Sequence, residues 1–137
     1  VEPSSETVSA SENDQSLVLP IHWGEFSALL TGDIGSTRES QVTSLNKPLD
    51  VLKIAHHGSK TSSSEAFLDR MKPRVALVSA SGAYGLPHPD VLERYRRRNI
   101  YVLRTDTMGT IQLRVQKNHI SIWAYQPGQG WKLYPSG

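Results

Sequence analysis

The sequence predicts an α/β fold with a mixed sheet and helices packed on one face. Three observations support this prediction. Short apolar runs alternate with amphipathic segments through the first two-thirds of the chain, as strands and helices do in such folds. Capping signals and prolines mark the ends of the amphipathic segments. The last third holds three apolar runs joined by short turns, which favour antiparallel hairpins at the end of the chain.

The predicted domain begins after an N-terminal arm. Residues 1–15 are rich in serine, glutamate and proline, which indicates a disordered linker, and the domain is expected over residues 16–137. The first two apolar runs flank Gly24-Glu25 and predict a β-hairpin. Pro20 interrupts the first run, so that strand is expected at the edge of the sheet or at a bulge.

The middle of the chain predicts three helices separated by strands. Ser36 and Ser62 each begin a serine–x–x–glutamate capping box, and Pro89 suits the first turn of a third helix. The first of these helices should run through Val42 and Leu45 until Pro48. The predicted strands lie at 49–55, 74–81, 100–105, 109–116 and 119–126, with a last edge strand at 131–134.

Composition limits the function classes. The 137 residues suit one domain, and no apolar stretch is long enough to span a bilayer. Cysteine is absent, which excludes disulfides, thiolate metal sites and a cysteine nucleophile. The net charge is +2, but residues 38–137 hold all 15 basic and only seven acidic residues, a balance of +8. That balance favours a polyanionic partner such as nucleic acid, or it reflects surface charges scattered over an ordinary domain.

Polar residues at the ends of predicted buried strands are the strongest functional signal. Asp33 follows one such strand after a glycine, and His56 and His57 follow another. Carboxylate and imidazole groups brought together at neighbouring strand ends are suitable ligands for zinc, manganese or iron. A lone aspartate there would more often cap a helix, and a histidine pair can be bonded within a loop. Taken together, the three residues favour a metal site.

Four segments in order carry a family resemblance: LLTGDI, DVLKIAHHGSKTSSSEAFL, PRVALVSASG with YGLPHP, and VLRTDTMGTI. Together they resemble the C-terminal metallo-β-lactamase-type domain of ComEC competence proteins, which bring transforming DNA into bacteria. The resemblance runs from about Ser16 to Ile111. It implies the second, β-α half of an αβ/βα sandwich that belongs to a metal-dependent nuclease acting on the phosphodiesters of incoming DNA.

The resemblance also implies roles for the strand-end residues. Asp33 would bridge two divalent metal ions, manganese or zinc. His57 is favoured as a further ligand, with His56 near the substrate phosphate, although the reverse assignment stays open. Such two-metal sites activate water and offset the negative charge of the transition state.

The loop after the histidine pair is implied to bind substrate. Lys60 would face the phosphodiester, and His88 in the PHP loop would contact substrate or orient the leaving group. The remaining implied contacts, at the N-terminus of a helix, are Gly58, Ser59, Ser62, Ser63 and Ser64.

The chain departs from the family in two ways. None of its histidines begins the family's H-x-H-x-D-H motif, so the resemblance implies that an N-terminal half of the domain is missing and that this chain alone is inactive. The loop before His88 lacks a family asparagine and inserts Leu86-Pro87. The implied parent lies in the bacterial inner membrane with channel segments, and this domain would be extracytoplasmic and soluble. An isolated half should dimerise or dissolve poorly.

Two other functions stay open: a non-catalytic DNA-binding or scaffolding module, and another hydrolase of the same fold acting on a phosphoester, lactone or thioester. Two features also allow two interpretations. The arginines of the third helix, Arg94 and Arg96 to Arg98, would either face DNA or stabilise the helix C-terminus. Asp106 is expected mainly to close the turn before Gly109.

Overall fold

A five-stranded mixed sheet forms the centre of the fold in the computed structural model, which describes residues 12–43 and 47–135. Two helices cover one of its faces, and a separate three-stranded sheet packs against part of the other. The predicted α/β class with a mixed sheet is confirmed. None of the described helices is long and apolar enough to cross a membrane.

Eight strands and four helices make up the described chain. The strands are β1 (Leu19–Trp23), β2 (Phe26–Leu30), β3 (Val51–Lys53), β4 (Val75–Val78), β5 (Tyr101–Arg104), β6 (Thr110–Gln116), β7 (His119–Gln126) and β8 (Gly130–Tyr134). The helices are α1 (Ser36–Glu39), α2 (Glu65–Met71), α3 (Pro89–Arg97) and α4 (Thr105–Met108). Short 3-10 turns lie at Glu12–Gln15, Ala55–Gly58 and Ala83–Gly85.

The central sheet has the strand order β1-β2-β3-β4-β5. The predicted hairpin is confirmed, because β1 pairs antiparallel with β2 and brings Leu19 opposite Leu30. As predicted, β1 is an edge strand, a position that tolerates Pro20 because its outer side has no ladder to complete. Strands β2, β3, β4 and β5 pair in parallel. Their carboxyl ends therefore lie at one edge of the sheet.

The helix-covered face holds the larger part of the core. Leu29, Leu52 and Ala76 are in register across three strands and are all buried on this face. Helices α2 and α3 pack there, each through the apolar stripe that its sequence predicted, although Leu92 of that stripe is only half-buried. The buried helix residues are Phe67, Leu68, Met71, Val91 and Tyr95.

The last three strands form a sheet of their own, with β8 at an edge. It buries Ile120 against Ala28 and Val51, and Ile122 against Val75 and Leu103, on the face of the central sheet opposite the helices. The chain passes from one sheet to the other through α4 and Gly109, whose φ of +81° lies in the left-handed region.

The structure changes three predicted details. The end of the expected disordered arm is ordered: Glu12–Gln15 form a 3-10 turn, and Asp14 accepts a hydrogen bond from the Gly35 N–H at 2.8 Å. Residues 1–11 lie outside the described chain. The N-cap of α1 is Gly35, not Ser36, and the helix ends at Glu39 instead of running through Val42, while Leu45 lies outside the described residues. The N-cap of α2 is Ser64, not Ser62.

The passage between the sheets gives a stability prediction. A Cβ atom at Gly109 would overlap the carbonyl oxygen of Tyr125, so Gly109→Ala must displace backbone and is expected to lower the free energy of unfolding by about 3 kcal/mol. Gly128→Ala is the matched control, because Gly128 has a φ of +80° and no atom within 4 Å of the added Cβ. It should cost about 1 kcal/mol. Urea denaturation measures both, and equal losses would contradict the role of Gly109.

Candidate functional site

Four loops meet at the carboxyl edge of the parallel strands. Asp33 follows β2, His56 and His57 follow β3, Ser79 follows β4 and Asp106 follows β5. The first two loops are joined directly, since the His56 N–H donates to the Gly32 carbonyl at 3.0 Å. The structure thus places the predicted aspartate and histidine loops side by side. We call this group of loops the carboxyl-edge site.

The histidine pair has an unusual backbone. His56 has a φ of +50° and His57 a φ of +54°, so two consecutive residues are left-handed. Histidine adopts this conformation more readily than most non-glycine residues. The turn leaves the His57 ring exposed and the His56 ring half-buried.

The His57 ring is held in one tautomer. Its Nδ1 lies 2.7 Å from the carbonyl oxygen of Ser79. Because a carbonyl oxygen only accepts hydrogen bonds, Nδ1 must carry the proton, and Nε2 keeps its lone pair. Metal-binding histidines are commonly fixed in this way, with one ring nitrogen donating to a carbonyl and the other free to bind the ion.

Asp33 lies next to a lysine that sequence reasoning missed. The Asp33 side chain is half-buried, and its backbone N–H donates to the Ser16 hydroxyl at 3.2 Å. Burial lowers the pKa of Lys53, and the negative charge of Asp33 partly opposes that shift. Lys53 ends β3 in register with Leu30 and Leu77, which places it on an apolar face. The signal in the sequence was the position of Lys53, a charged residue within the otherwise apolar run of β3.

His88 is held in the opposite tautomer. It is the N-cap of α3, and its Nδ1 accepts the Asp90 N–H at 3.1 Å. The proton of the neutral ring is therefore on Nε2, where it can donate a hydrogen bond. The His88 N–H donates to the Gly58 carbonyl at 2.9 Å, so the PHP loop docks on the histidine loop. Gly58 permits this approach, because a Cβ there would lie 2.6 Å from the Cβ of Pro87.

Lys60 and Ser59 lie at the surface of the same region. The Lys60 ammonium is 3.6 Å from the Asp90 carboxylate, and both side chains are more than half exposed. The Ser59 hydroxyl is 3.1 Å from that of Thr61. An ion pair this exposed is weak, so Lys60 is free to exchange Asp90 for another anion.

The three serines that follow have partners inside the protein. The Ser62 hydroxyl donates to the carbonyls of Ala55 and Ser59, and the Ser63 hydroxyl lies 2.9 Å from the hydroxyl of Tyr95. Ser62 and Ser63 are buried, and Ser64 caps α2 by accepting the Phe67 N–H. The three hydroxyls thus have partners within the protein, and their contact with a phosphodiester stays a prediction.

A protein carboxylate takes the place expected for that anion. Glu39 is buried, and its two carboxylate oxygens accept the backbone N–H groups of Ser63 and Ser64. The donors that precede α2 are thus already satisfied. The local pattern predicts that Glu39 belongs to a capping box, whereas its carboxylate binds backbone groups 24 and 25 positions further along the chain.

The arginines of α3 have structural partners. Arg97 and Arg98 bind the Glu65 carboxylate, and Arg98 also binds Asp69 at 2.9 Å. These hydrogen bonds hold the pKa values of Glu65 and Asp69 below their usual range. The Arg94 guanidinium donates to the carbonyls of Ser62 and Ser63, and Arg96 pairs with Glu93. Of the two interpretations, the structural one fits these contacts.

Asp106 forms a two-point ion pair with Arg104. The two carboxylate oxygens accept from the guanidinium at 3.1 and 2.7 Å. These bonds lower the pKa of Asp106. Thr105 links the same turn to β4's loop, since its hydroxyl donates to the Ala80 carbonyl and accepts the Ala80 N–H. The RTD segment thus ties the last loop of the site to its neighbour.

Within residues 12–43 and 47–135, no group of three or more histidine, aspartate or glutamate side chains lies close enough to hold a metal ion.

Comparison with known proteins identifies the family. Over 122 residues, 86% of this chain, the sequence is 43% identical to ComE operon protein 3 of Bacillus subtilis. It is 33% identical to Recombination protein 2 of Haemophilus influenzae over 84% of the chain, and 36% identical to Competence protein ComA of Neisseria gonorrhoeae over 79%. The chain belongs to the ComEC family of competence proteins.

The ComEC-family match covers most of this chain but little of its relatives. The chain spans 16%, 15% and 16% of the lengths of those three proteins. No protein-family model matches it.

Glu39 gives a test of how this ComEC-family site is held. Glu39→Gln replaces one acceptor oxygen with a donor that faces a backbone N–H, and is expected to lower the free energy of unfolding by about 2–3 kcal/mol. Glu93→Gln, which alters an exposed ion pair, should cost less than about 1 kcal/mol. Chemical denaturation of the two variants gives the comparison. A Glu39→Gln variant as stable as Glu93→Gln would show that this carboxylate is not a structural tie.

Proposed function

We propose that this chain is part of a metal-dependent nuclease domain of a ComEC-type protein that acts on DNA during uptake. The observation that carries the proposal is the His57 ring, fixed with its Nε2 lone pair free, in the loop bonded to the one that holds Asp33. A tautomer held by a backbone carbonyl is what a metal-binding histidine requires. This supports His57 rather than His56 as the ligand.

The available donors suit two divalent ions, manganese or zinc, as part of a larger set. Asp33 supplies a carboxylate, and His57 supplies an imidazole. When bound, such ions supply a water of lowered pKa and positive charge next to the phosphate. The remaining ligands would come from the N-terminal half of the domain in the longer polypeptide. This chain's own contribution is to hold Asp33 and His57 at one edge.

Other residues of the site support a phosphodiester substrate. His88 presents an Nε2–H that can donate a hydrogen bond to the phosphodiester and orient the leaving oxygen, and its loop is docked on Gly58. His56 lies one residue from the proposed ligand and would contact the phosphate. Lys60 is exposed and its ion pair is weak, so it can approach the phosphate. The names of two relatives, a competence protein and a recombination protein, favour DNA over a lactone or thioester.

An exposed apolar strip on β1 supports the proposal that an N-terminal half of the domain packs against this chain. Leu19, Ile21 and Trp23 of β1 point to the face on which the second sheet packs, yet they are 44%, 38% and 59% exposed. Leu30 lies beside Leu19 and is also exposed. We propose that the N-terminal half of the domain covers this strip in the parent protein. The parent would carry channel segments in the inner membrane, with this domain on the extracytoplasmic side.

The ligand assignment is tested in the full-length polypeptide. Asp33→Ala and His57→Ala are expected to abolish metal-dependent hydrolysis of DNA, because each removes a proposed ligand. His119→Ala is the control, since His119 is exposed at the start of β7, away from the carboxyl edge. Product release from a labelled oligonucleotide measures the rates, with and without a chelator. Full activity of Asp33→Ala would overturn the bridging role, and DNA binding without cleavage would favour a binding module.

The apolar strip gives a separate prediction for the 137-residue chain. Because a solvent-exposed strip of this size favours association, the isolated chain should form homodimers or dissolve poorly. Ile21→Thr with Trp23→Thr should shift it toward monomer, whereas Leu133→Thr on the separate sheet should not. Light scattering during size-exclusion chromatography measures the mass. A monomeric, freely soluble wild-type chain would contradict a covered strip.

A further inference from the structure

A pocket of about 440 Å³ opens beside the proposed metal ligand. The residues that line it include His57, Ser79, Ala83, Tyr84 and Leu86. Its size is within the range of small-ligand sites and is sufficient for a nucleoside.

Tyr84 stands over this pocket with its ring in solvent. The residue is 98% exposed, and it has a φ of +58° inside the Ala83–Gly85 turn. A bulky residue is rarely left-handed, and strained backbone of this kind collects at binding sites. A tyrosine ring exposed to this degree gains nothing from the core of its own chain. Its position therefore points to a ligand.

The loop that presents Tyr84 is anchored on both sides. Before the tyrosine, the Ala83 N–H donates to the Ser81 hydroxyl at 3.3 Å. After it, the Leu86 N–H donates to the Ala83 carbonyl at 3.1 Å, and Pro87 is buried against Gly58. The hydrogen bonds shape the turn, and the Pro87 contact ties its end to the histidine loop. A ligand on the Tyr84 ring would thus lie near His57.

The chemistry of the pocket suits a nucleobase. Aromatic side chains that bind single-stranded nucleic acid do so by stacking on the faces of successive bases, whatever their sequence. The alanine and leucine walls offer apolar contact to the edge of a base, while the positive balance of residues 38–137 attracts its backbone. Bases in a duplex are stacked on one another and do not offer a free face.

We infer that Tyr84 stacks on a base of single-stranded DNA and that the pocket beside His57 takes the nucleoside. This inference rests on the proposed function, since it names the form of DNA that the carboxyl-edge site receives. Tyr84 is thus a substrate-positioning residue that sets which phosphodiester lies next to His57.

Binding of fluorescent 12-base oligonucleotides to the 137-residue chain tests the inference. Tyr84→Ala should raise the Kd for a thymidine oligonucleotide about 10-fold, the usual size of a single stacking contact. Tyr84→Phe keeps the ring and should stay within about twofold of wild type. Tyr101→Ala, which removes a partly exposed tyrosine from β5, is the matched control and should leave the Kd unchanged. Fluorescence anisotropy at fixed salt gives all the constants.

An abasic oligonucleotide of the same length separates base contacts from backbone contacts. Wild type and Tyr84→Ala should bind it equally, because it has no base to stack. Equal weakening on both oligonucleotides, or a Tyr84→Phe variant as weak as Tyr84→Ala, would overturn stacking. Absence of DNA binding by the wild-type chain would also overturn it, while the hydrolysis test in the full-length polypeptide judges the proposed nuclease independently.

Discussion

The rest of the structure depends on one constraint, the parallel pairing of β2 with β3, of β3 with β4 and of β4 with β5. Parallel strands must be connected by crossovers, and here those crossovers carry α1, α2 and α3. The connections return each strand in the same direction, so every strand ends at the same edge. Four loops that are distant in sequence are thereby brought together without any contact among their side chains being required.

Hydrogen bonds between the loops then fix what the strands have placed. His56 is bonded to the loop of β2, His57 to the loop of β4, and Thr105 ties the loop of β5 to that of β4. Behind them, Glu39 holds the backbone that enters α2. These two hydrogen bonds join α1 to the segment that enters α2. Hydrogen bonds from the protein's own polar groups thus hold the loops in place.

Most elements were predictable because their signals are local. The hairpin at Gly24, the edge position of Pro20 and the buried face of α2 each follow from a few neighbouring residues, and the structure has them. The separate second sheet was not predictable, because the residues around Gly109 predict a turn but do not determine which sheet the following strand joins. The contacts of Ser62 and Ser63 were not predictable for a similar reason. Their partners, Ala55, Tyr95 and Glu39, become neighbours only after the chain has folded.

The left-handed histidine pair limits how this loop can vary among related proteins. At a positive φ, β-branched side chains are strongly disfavoured, and glycine, asparagine, aspartate and histidine are accommodated most readily. A relative that had lost its chemistry would still favour those residues at positions 56 and 57. Histidine there thus reports on the shape of the turn as well as on activity. Asp33 has no such backbone restriction, so its replacement in a relative would be the clearer mark of an inactive domain.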